Sequence, residues 1–154
     1  MFLRKHDARG DELWTRLIDG ASYLPPKLAA DSTGVYVVGV SPPQPGRQDA
    51  FVHKYDPSGN ELWKRQFGRL VGTSGVAVDS TGVYVVGASY EPRTEPFVRK
   101  YDPSGNELWT RQVDTANVAT GVAVDSTGVY VVGGGDLRKY TASGNELWTR
   151  QVEP

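Results

Sequence analysis

The sequence predicts an all-β chain built from one repeated four-stranded unit, and three observations carry that expectation. A hairpin-like stretch recurs four times: FLRKHDARGDELWTR from Phe2, FVHKYDPSGNELWKR from Phe51, FVRKYDPSGNELWTR from Phe97 and DLRKYTASGNELWTR from Asp136. A second stretch recurs three times between these: KLAADSTGVYVVGV from Lys27, GVAVDSTGVYVVGA from Gly75 and GVAVDSTGVYVVGG from Gly121. No segment shows the 3.6-residue apolar period of a helix, so a helical solenoid is a poor match.

Each stretch divides into two short β-rich runs and a turn. Val, Tyr, Phe and Trp favour the pleated strand, whereas Asp-Pro-Ser-Gly-Asn and Asp-Ser-Thr-Gly supply the fixed Pro φ and the permissive Gly that turns require. In order, VAVD is strand A, VYVVG strand B, FVRKY strand C and ELWTRQ strand D of a unit of about 46 residues, the length range of a propeller blade. VYVVG is apolar on both faces, as for a strand covered from both sides, while ELWTRQ mixes polar residues with its Trp and belongs further out. The expected fold is therefore a β-propeller of three four-stranded blades (21–67, 68–112 and 113–154) preceded by an N-terminal half blade (1–20).

The four Trp residues, Trp14, Trp63, Trp109 and Trp148, all take the same repeat position and stand 49, 46 and 39 residues apart. Such placement predicts a structural role: a large rigid ring docks on the neighbouring blade, and the Gly four residues earlier permits the tight approach. In the first hairpin His6 replaces the Tyr found as Tyr55, Tyr101 and Tyr140, and Arg9 and Asp11 replace the usual Ser and Asn. Either constraint is relaxed there or the neighbour is different.

By strand type the chain runs CD, ABCD, ABCD, ABCD. A chain that starts with CD and closes by mixing its termini should finish with AB, and this one finishes with D. Three arrangements compete: a segment of a longer propeller, association of copies, and a small four-bladed ring with one thin blade. Two copies supply seven blades in number but leave two seams without inner strands. Exposed inner edges predict self-association.

AVDSTGVYVVG followed by FVRKYDPSGNELWTRQ resembles the SBBP repeat, a propeller repeat of bacterial and archaeal proteins that are often large and surface-associated. The resemblance covers nearly the whole chain and implies a fold and a habit of carrying binding sites, with no shared catalytic residues. The first stretch by itself is similar to the NHL repeat, and DPSGNELW at 56–63 is similar to the tryptophan-docking motif of quinoprotein propellers.

Strand alternation puts the A–B and C–D turns on one face, where every turn is a near copy. The other face holds the variety: LIDGASYLPPK, SPPQPGRQDA, FGRLVGTS, SYEPRTEP, VDTANVAT and GGGD. Loops on a rigid scaffold are where specificity resides, so Tyr23, Arg47, Gln48, Arg69, Tyr90, Arg93 and Asn117 are the candidate ligand-contacting residues, set against the plain reading of solvated loop residues.

Other chemistry is weakly signalled. The 17 basic and 18 acidic residues nearly cancel and form no long run, so neither a nucleic-acid stripe nor a polybasic membrane patch is expected. Without Cys there is no disulfide framework, thiolate metal site or Cys nucleophile. His6 and His53, the only two histidines, occupy non-equivalent positions, which argues against a two-His metal site or a His-centred triad. DPSGNE lacks the spacing of a calcium loop, and VVGGGD lacks the helix and Lys-Ser/Thr of a phosphate loop. Asp31, Asp79 and Asp125 head DSTG turns and are turn residues first. Residues 1–10 lack the apolar core of a signal peptide, and no apolar run approaches the roughly 20 residues of a membrane span; compartment stays open. The leading expectation is a non-enzymatic scaffold that binds a protein or glycan, without cofactor or metal. The alternatives are a cofactor-binding or enzymatic propeller, or a truncated or engineered set of blades with no activity of its own.

Overall fold

The computed structural model describes residues 1–18, 24–42, 47–68, 71–90, 92–113 and 118–152. Fourteen strands follow one another: β1 Phe2–His6, β2 Glu12–Leu17, β3 Lys27–Asp31, β4 Gly34–Val40, β5 Ala50–Tyr55, β6 Glu61–Phe67, β7 Val71–Asp79, β8 Gly82–Ser89, β9 Glu95–Tyr101, β10 Glu107–Gln112, β11 Ala119–Asp125, β12 Gly128–Gly133, β13 Asp136–Tyr140 and β14 Glu146–Gln151. They form a two-stranded sheet β1–β2 and three four-stranded sheets, β3–β6, β7–β10 and β11–β14, each in chain order and antiparallel throughout. These are a half blade and blades 1, 2 and 3 of a β-propeller. Among the described residues no helix is long and apolar enough to cross a membrane.

The first strands of the blades, β3, β7 and β11, lie side by side, so strand A is innermost. Strands A and D have exposed and half-buried positions, while β4, β8 and much of β5 and β9 are buried along their length. A B strand such as β4 or β8 meets a neighbouring blade on both faces, which is why its sequence is apolar without alternation. Its side chains divide between two seams. Tyr36 and Val38 point forward onto Val83, Val85 and Tyr101 of blade 2, and Tyr84 and Val86 point forward onto Val129, Val131 and Tyr140 of blade 3.

Turn chemistry sets the hairpins. In the C–D turns the Asp56 carboxylate accepts from the N–H groups of Ser58 and Asn60 at 2.8 and 2.9 Å, and Asp102 does the same for Ser104 and Asn106. In the A–B turns Asp31, Asp79 and Asp125 each accept from the N–H two residues on, at 2.7 to 2.8 Å. These carboxylate oxygens are occupied by their own turns.

Two strands run further than their sequences suggest. FGRLVGTS and VDTANVAT read as connections, yet Val71–Ser74 open β7 and Ala119–Thr120 open β11. The reason is a bulge: the register shifts between Thr73 and Gly75 and again between Ala119 and Gly121, which lets pairing continue past a small residue. Val71 opposes Ser89 and Gly72 opposes Ala88, and the hydroxyl of Ser74 donates to the carbonyl of Ala119, tying β7 to β11. Likewise β9 begins at Glu95, inside the stretch SYEPRTEP that reads as a loop.

Candidate functional site

The B–C and D–A connections emerge at one end of every sheet, and on that face the junction of blades 1 and 2 is the best described. Arg47 and Gln48 lie in the β4–β5 connection and Tyr90 and Arg93 in the β8–β9 connection. The β7 start joins them. The N–H of Val71 donates to the Gln48 carbonyl at 3.0 Å, and the next residue, Gly72, lies under the Tyr90 phenol, which leaves no room for a side chain: a Cβ there would sit 2.8 Å from the Tyr90 hydroxyl.

Both arginines are held by acids of their own connections. Arg47 Nε donates to Asp49 Oδ2 at 2.6 Å; Asp49 is buried, and its Oδ1 finds no donor among the described residues. Arg93 Nε donates to Glu95 Oε1 at 3.0 Å, and Gln112 Nε2 donates to Glu95 Oε2 at 2.9 Å. The Arg93 side chain is still 79% exposed, so its pairing leaves most of the guanidinium open to a ligand.

Below this polar rim lies a cleft of about 220 Å³ between Phe67, Val71, Phe97, Arg99 and Gln112. Phe67 and Phe97 meet edge to face, with centroids 5.9 Å apart, and the Arg99 guanidinium lies 4.5 Å over the Phe67 ring. Arg99 is fixed there by Nε donating to Thr110 Oγ1 at 2.7 Å and by Glu107 at 3.5 Å. A rigid aromatic floor with a few oriented polar groups is the usual make-up of a recognition cleft. Phe67, Phe97, Arg99, Glu95 and Gln112 were not among the residues the sequence singles out: Phe97, Arg99 and Gln112 belong to the C and D strand repeats, which read as scaffold, and Phe67 and Glu95 stand near the ends of variable stretches whose inner residues were chosen instead. Tyr23, Arg69 and Asn117 lie outside the described residues.

Elsewhere the chemistry belongs to the seams. Trp14, Trp63 and Trp109 donate their indole N–H to the carbonyls of Pro57, Pro103 and Ala142, at 3.1, 2.9 and 3.0 Å, in the C–D turn of the following blade. The glycine that receives each indole is thus the next blade's, namely Gly59, Gly105 and Gly144, and not the one preceding the Trp in its own hairpin. In each turn this glycine has φ of 82 to 83°, and a Cβ would come within 2.7 to 2.8 Å of the indole. Trp148 rests against Tyr130 at 6.3 Å and has no turn over it among the described residues.

A cleft of about 530 Å³ opens between the half blade and blade 1, lined by Arg16, His53, Tyr55, Glu61 and Lys64. Burial pushes the His53 imidazole below its usual range, and Lys64 adds to this, while the Glu61 carboxylate 3.4 Å away works the other way. Equivalent positions in the half blade and in blades 2 and 3 carry Arg4, Arg99 and Arg138, each paired with the equivalent Glu. No cluster of three or more His, Cys, Asp or Glu suited to a metal occurs among the described residues.

Residues 48–153 match the family described as outer membrane protein assembly factor BamB. The chain belongs to this BamB-like family of propeller repeats. A crystal structure of a protein of unknown function from Bacteroides caccae is similar in fold, with TM-score 0.62 at 10% identity over 94% of this chain. The chain spans 52% of that protein's length. No curated protein matches.

Proposed function

We propose that this chain is a non-enzymatic propeller scaffold that recognises a protein segment or a glycan on its B–C and D–A loop face, centred on the junction of blades 1 and 2. One observation carries the reading: the two faces use their residues differently. On the C–D turn face the Asp carboxylates, indoles and lysines are spent on turns and seams. On the loop face an apolar cleft floored by Phe67 and Phe97 lies beside the exposed guanidinium of Arg93 and the half-exposed ring of Tyr90. Tyr and Arg over a rigid apolar floor are the anchors typical of protein interfaces, and the Tyr90 ring also offers a flat apolar face to a sugar. The description of the matching family as an assembly factor favours interaction over catalysis, and the resemblance to the SBBP repeat points the same way.

The test uses the triple variant Gln48→Ala, Tyr90→Ala, Arg93→Ala, screened beside the parent on a glycan array and on a panel of extended peptides; Arg47 is kept because it neutralises buried Asp49. Tyr90 and Arg93 are exposed, and Gln48 ties the junction through its backbone carbonyl, which alanine retains, so the melting temperature should stay within a few degrees of the parent. Ligands of the parent should lose tenfold or more in affinity. Equal binding by the folded triple variant would refute the reading.

A further inference from the structure

The three seams inside the chain are copies of one device, and its two halves recur unpaired at the two ends. In each seam three side chains of one blade converge on the C–D turn of the next. Lys5, Lys54 and Lys100 donate to the carbonyls of Pro57, Pro103 and Ala142, which the indoles of Trp14, Trp63 and Trp109 also approach. Arg16, Arg65 and Arg111 donate Nε to the carbonyls of Gly59, Gly105 and Gly144 at 2.7, 2.7 and 2.9 Å while stacking 5.7 to 5.8 Å from the same indole.

Blade 3 presents the donor half. Lys139 is already set: its Nζ donates to Thr127 Oγ1 at 2.8 Å and lies 4.8 Å over Tyr130, as Lys100 does to Thr81 at 2.7 Å and over Tyr84 at 4.8 Å. What Lys139 lacks, among the described residues, is the third contact, to a turn carbonyl. Val132 is 40% exposed where its equivalents Val38 and Val86 are fully buried. The half blade presents the acceptor half. Its turn at 7–11 has the same hydrogen bonds, Asp7 accepting from Arg9 and Asp11 N–H at 2.8 and 3.0 Å, and Gly10 has the same positive φ of 90°. Among the described residues nothing lies within 4 Å of a Cβ built at Gly10, whereas at each of the other three glycines that Cβ would meet an indole.

We infer that blade 3 of one copy docks on the half blade of a second copy, with Trp148 over Gly10, Lys139 on the Ala8 carbonyl and Arg150 on the Gly10 carbonyl. Charge permits the match: with Asp7, Arg9 and Asp11 the turn carries the same net charge of −1 as the DPSGN turns at 56–60 and 102–106, onto which Lys and Arg side chains already dock. The Gly10 carbonyl already accepts from His6 Nδ1 at 2.9 Å and keeps a second lone pair for Arg150. Because the two halves are different surfaces, the contact is heterologous and generates a closed ring or an open chain of copies.

Light scattering on the purified 154-residue chain tests this. The parent's mass should rise with concentration to two or more chains. Trp148→Ala, Arg150→Glu and Gly10→Ala should each fall to a single chain with a retained β-sheet spectrum; Arg150 is exposed, so its loss leaves the fold intact. An equal mixture of Trp148→Ala and Gly10→Ala restores one complementary pair of ends, so it should give two-chain species and nothing larger. A parent that stays single at its highest soluble concentration would overturn the inference. So would donor-end variants that associate like the parent, or a mixture that stays single while the parent associates.

Discussion

The seam between blades 2 and 3 and the seam between the half blade and blade 1 share their outer rim and differ at the centre. At both rims a Trp, a Lys and an Arg grip a C–D turn. Towards the centre, blade 3 adds Val122 and Val124 of β11, packed under Tyr84 and Val86. Blade 1 offers Leu28 at the matching place, and with no A and B strands beside it from the half blade among the described residues Leu28 is 64% exposed. Rim docking is therefore separable from inner-strand packing: Leu3 and Ile18 of the half blade cover Val37, Phe51 and Tyr55 of blade 1 without any A–B pair. The rim holds the half blade; rim and centre together hold the full blades.

The largest test of that comparison is at the turn glycines. Gly105→Val places a side chain 2.7 Å from the Trp63 ring at φ of 83°, so backbone strain and overpacking add, and denaturant melts should show a loss of about 4 kcal/mol. Gly10→Val meets no neighbour among the described residues and should cost only the strain, about 1 to 2 kcal/mol. Equal losses at the two sites would mean that the seam contact contributes little.

Removing the indoles comes next. Trp109→Ala should lower global stability by about 3 kcal/mol, since it opens a seam that also packs Tyr84 and Tyr140. Trp14→Ala should act locally, and hydrogen exchange would show β1 and β2 losing protection before β7 to β10 do. A uniform loss of protection would show instead that the half blade is part of one cooperative unit.

At the centre, Leu28→Ser should leave the melting temperature nearly unchanged, within about 0.5 kcal/mol, because its side chain is already in water. Val76→Ser, the same repeat position with a covered side chain, should cost about 1 to 2 kcal/mol. Leu28→Ser as costly as Val76→Ser would reveal a cover over β3.

The smallest effect is pH. His53 is protonated less readily in the folded chain than in the unfolded one, so the unfolded state binds more protons as pH falls through about 6.5. Stability contributed by neutral His53 is present above that value and declines below it. His53→Arg, which restores the Arg–Glu pair of the other repeats, should remove the decline, measured as melting temperature between pH 7.5 and 5. An unchanged slope would move the titrating group elsewhere.

Much of the fold is legible in the sequence, and the candidate site is legible only in part. DSTG and DPSGN name their turns because an Asp carboxylate and a glycine act within a few residues, and the all-β class follows from those turns and the VYVVG runs. Arg47, Gln48, Tyr90 and Arg93 stand out through the contrast between repeated and unrepeated loops, which is local too. Phe67, Phe97 and Arg99 do not, since their cleft forms between strands of two blades. The early start of β7 escaped because a bulge at Ser74 pairs residues that look like a loop.

What the sequence determines by itself is the period and the strand types, both of which follow from side-chain volume, turn chemistry and repetition. Tertiary structure decides which glycine each Trp covers. Within a hairpin the nearest glycine to Trp63 is Gly59, four residues earlier, but Gly59 lies beneath Trp14 and Trp63 covers Gly105. A forward-pointing ring reaches the following blade, and backbone carbonyls there supply the acceptors that its own turn has already spent.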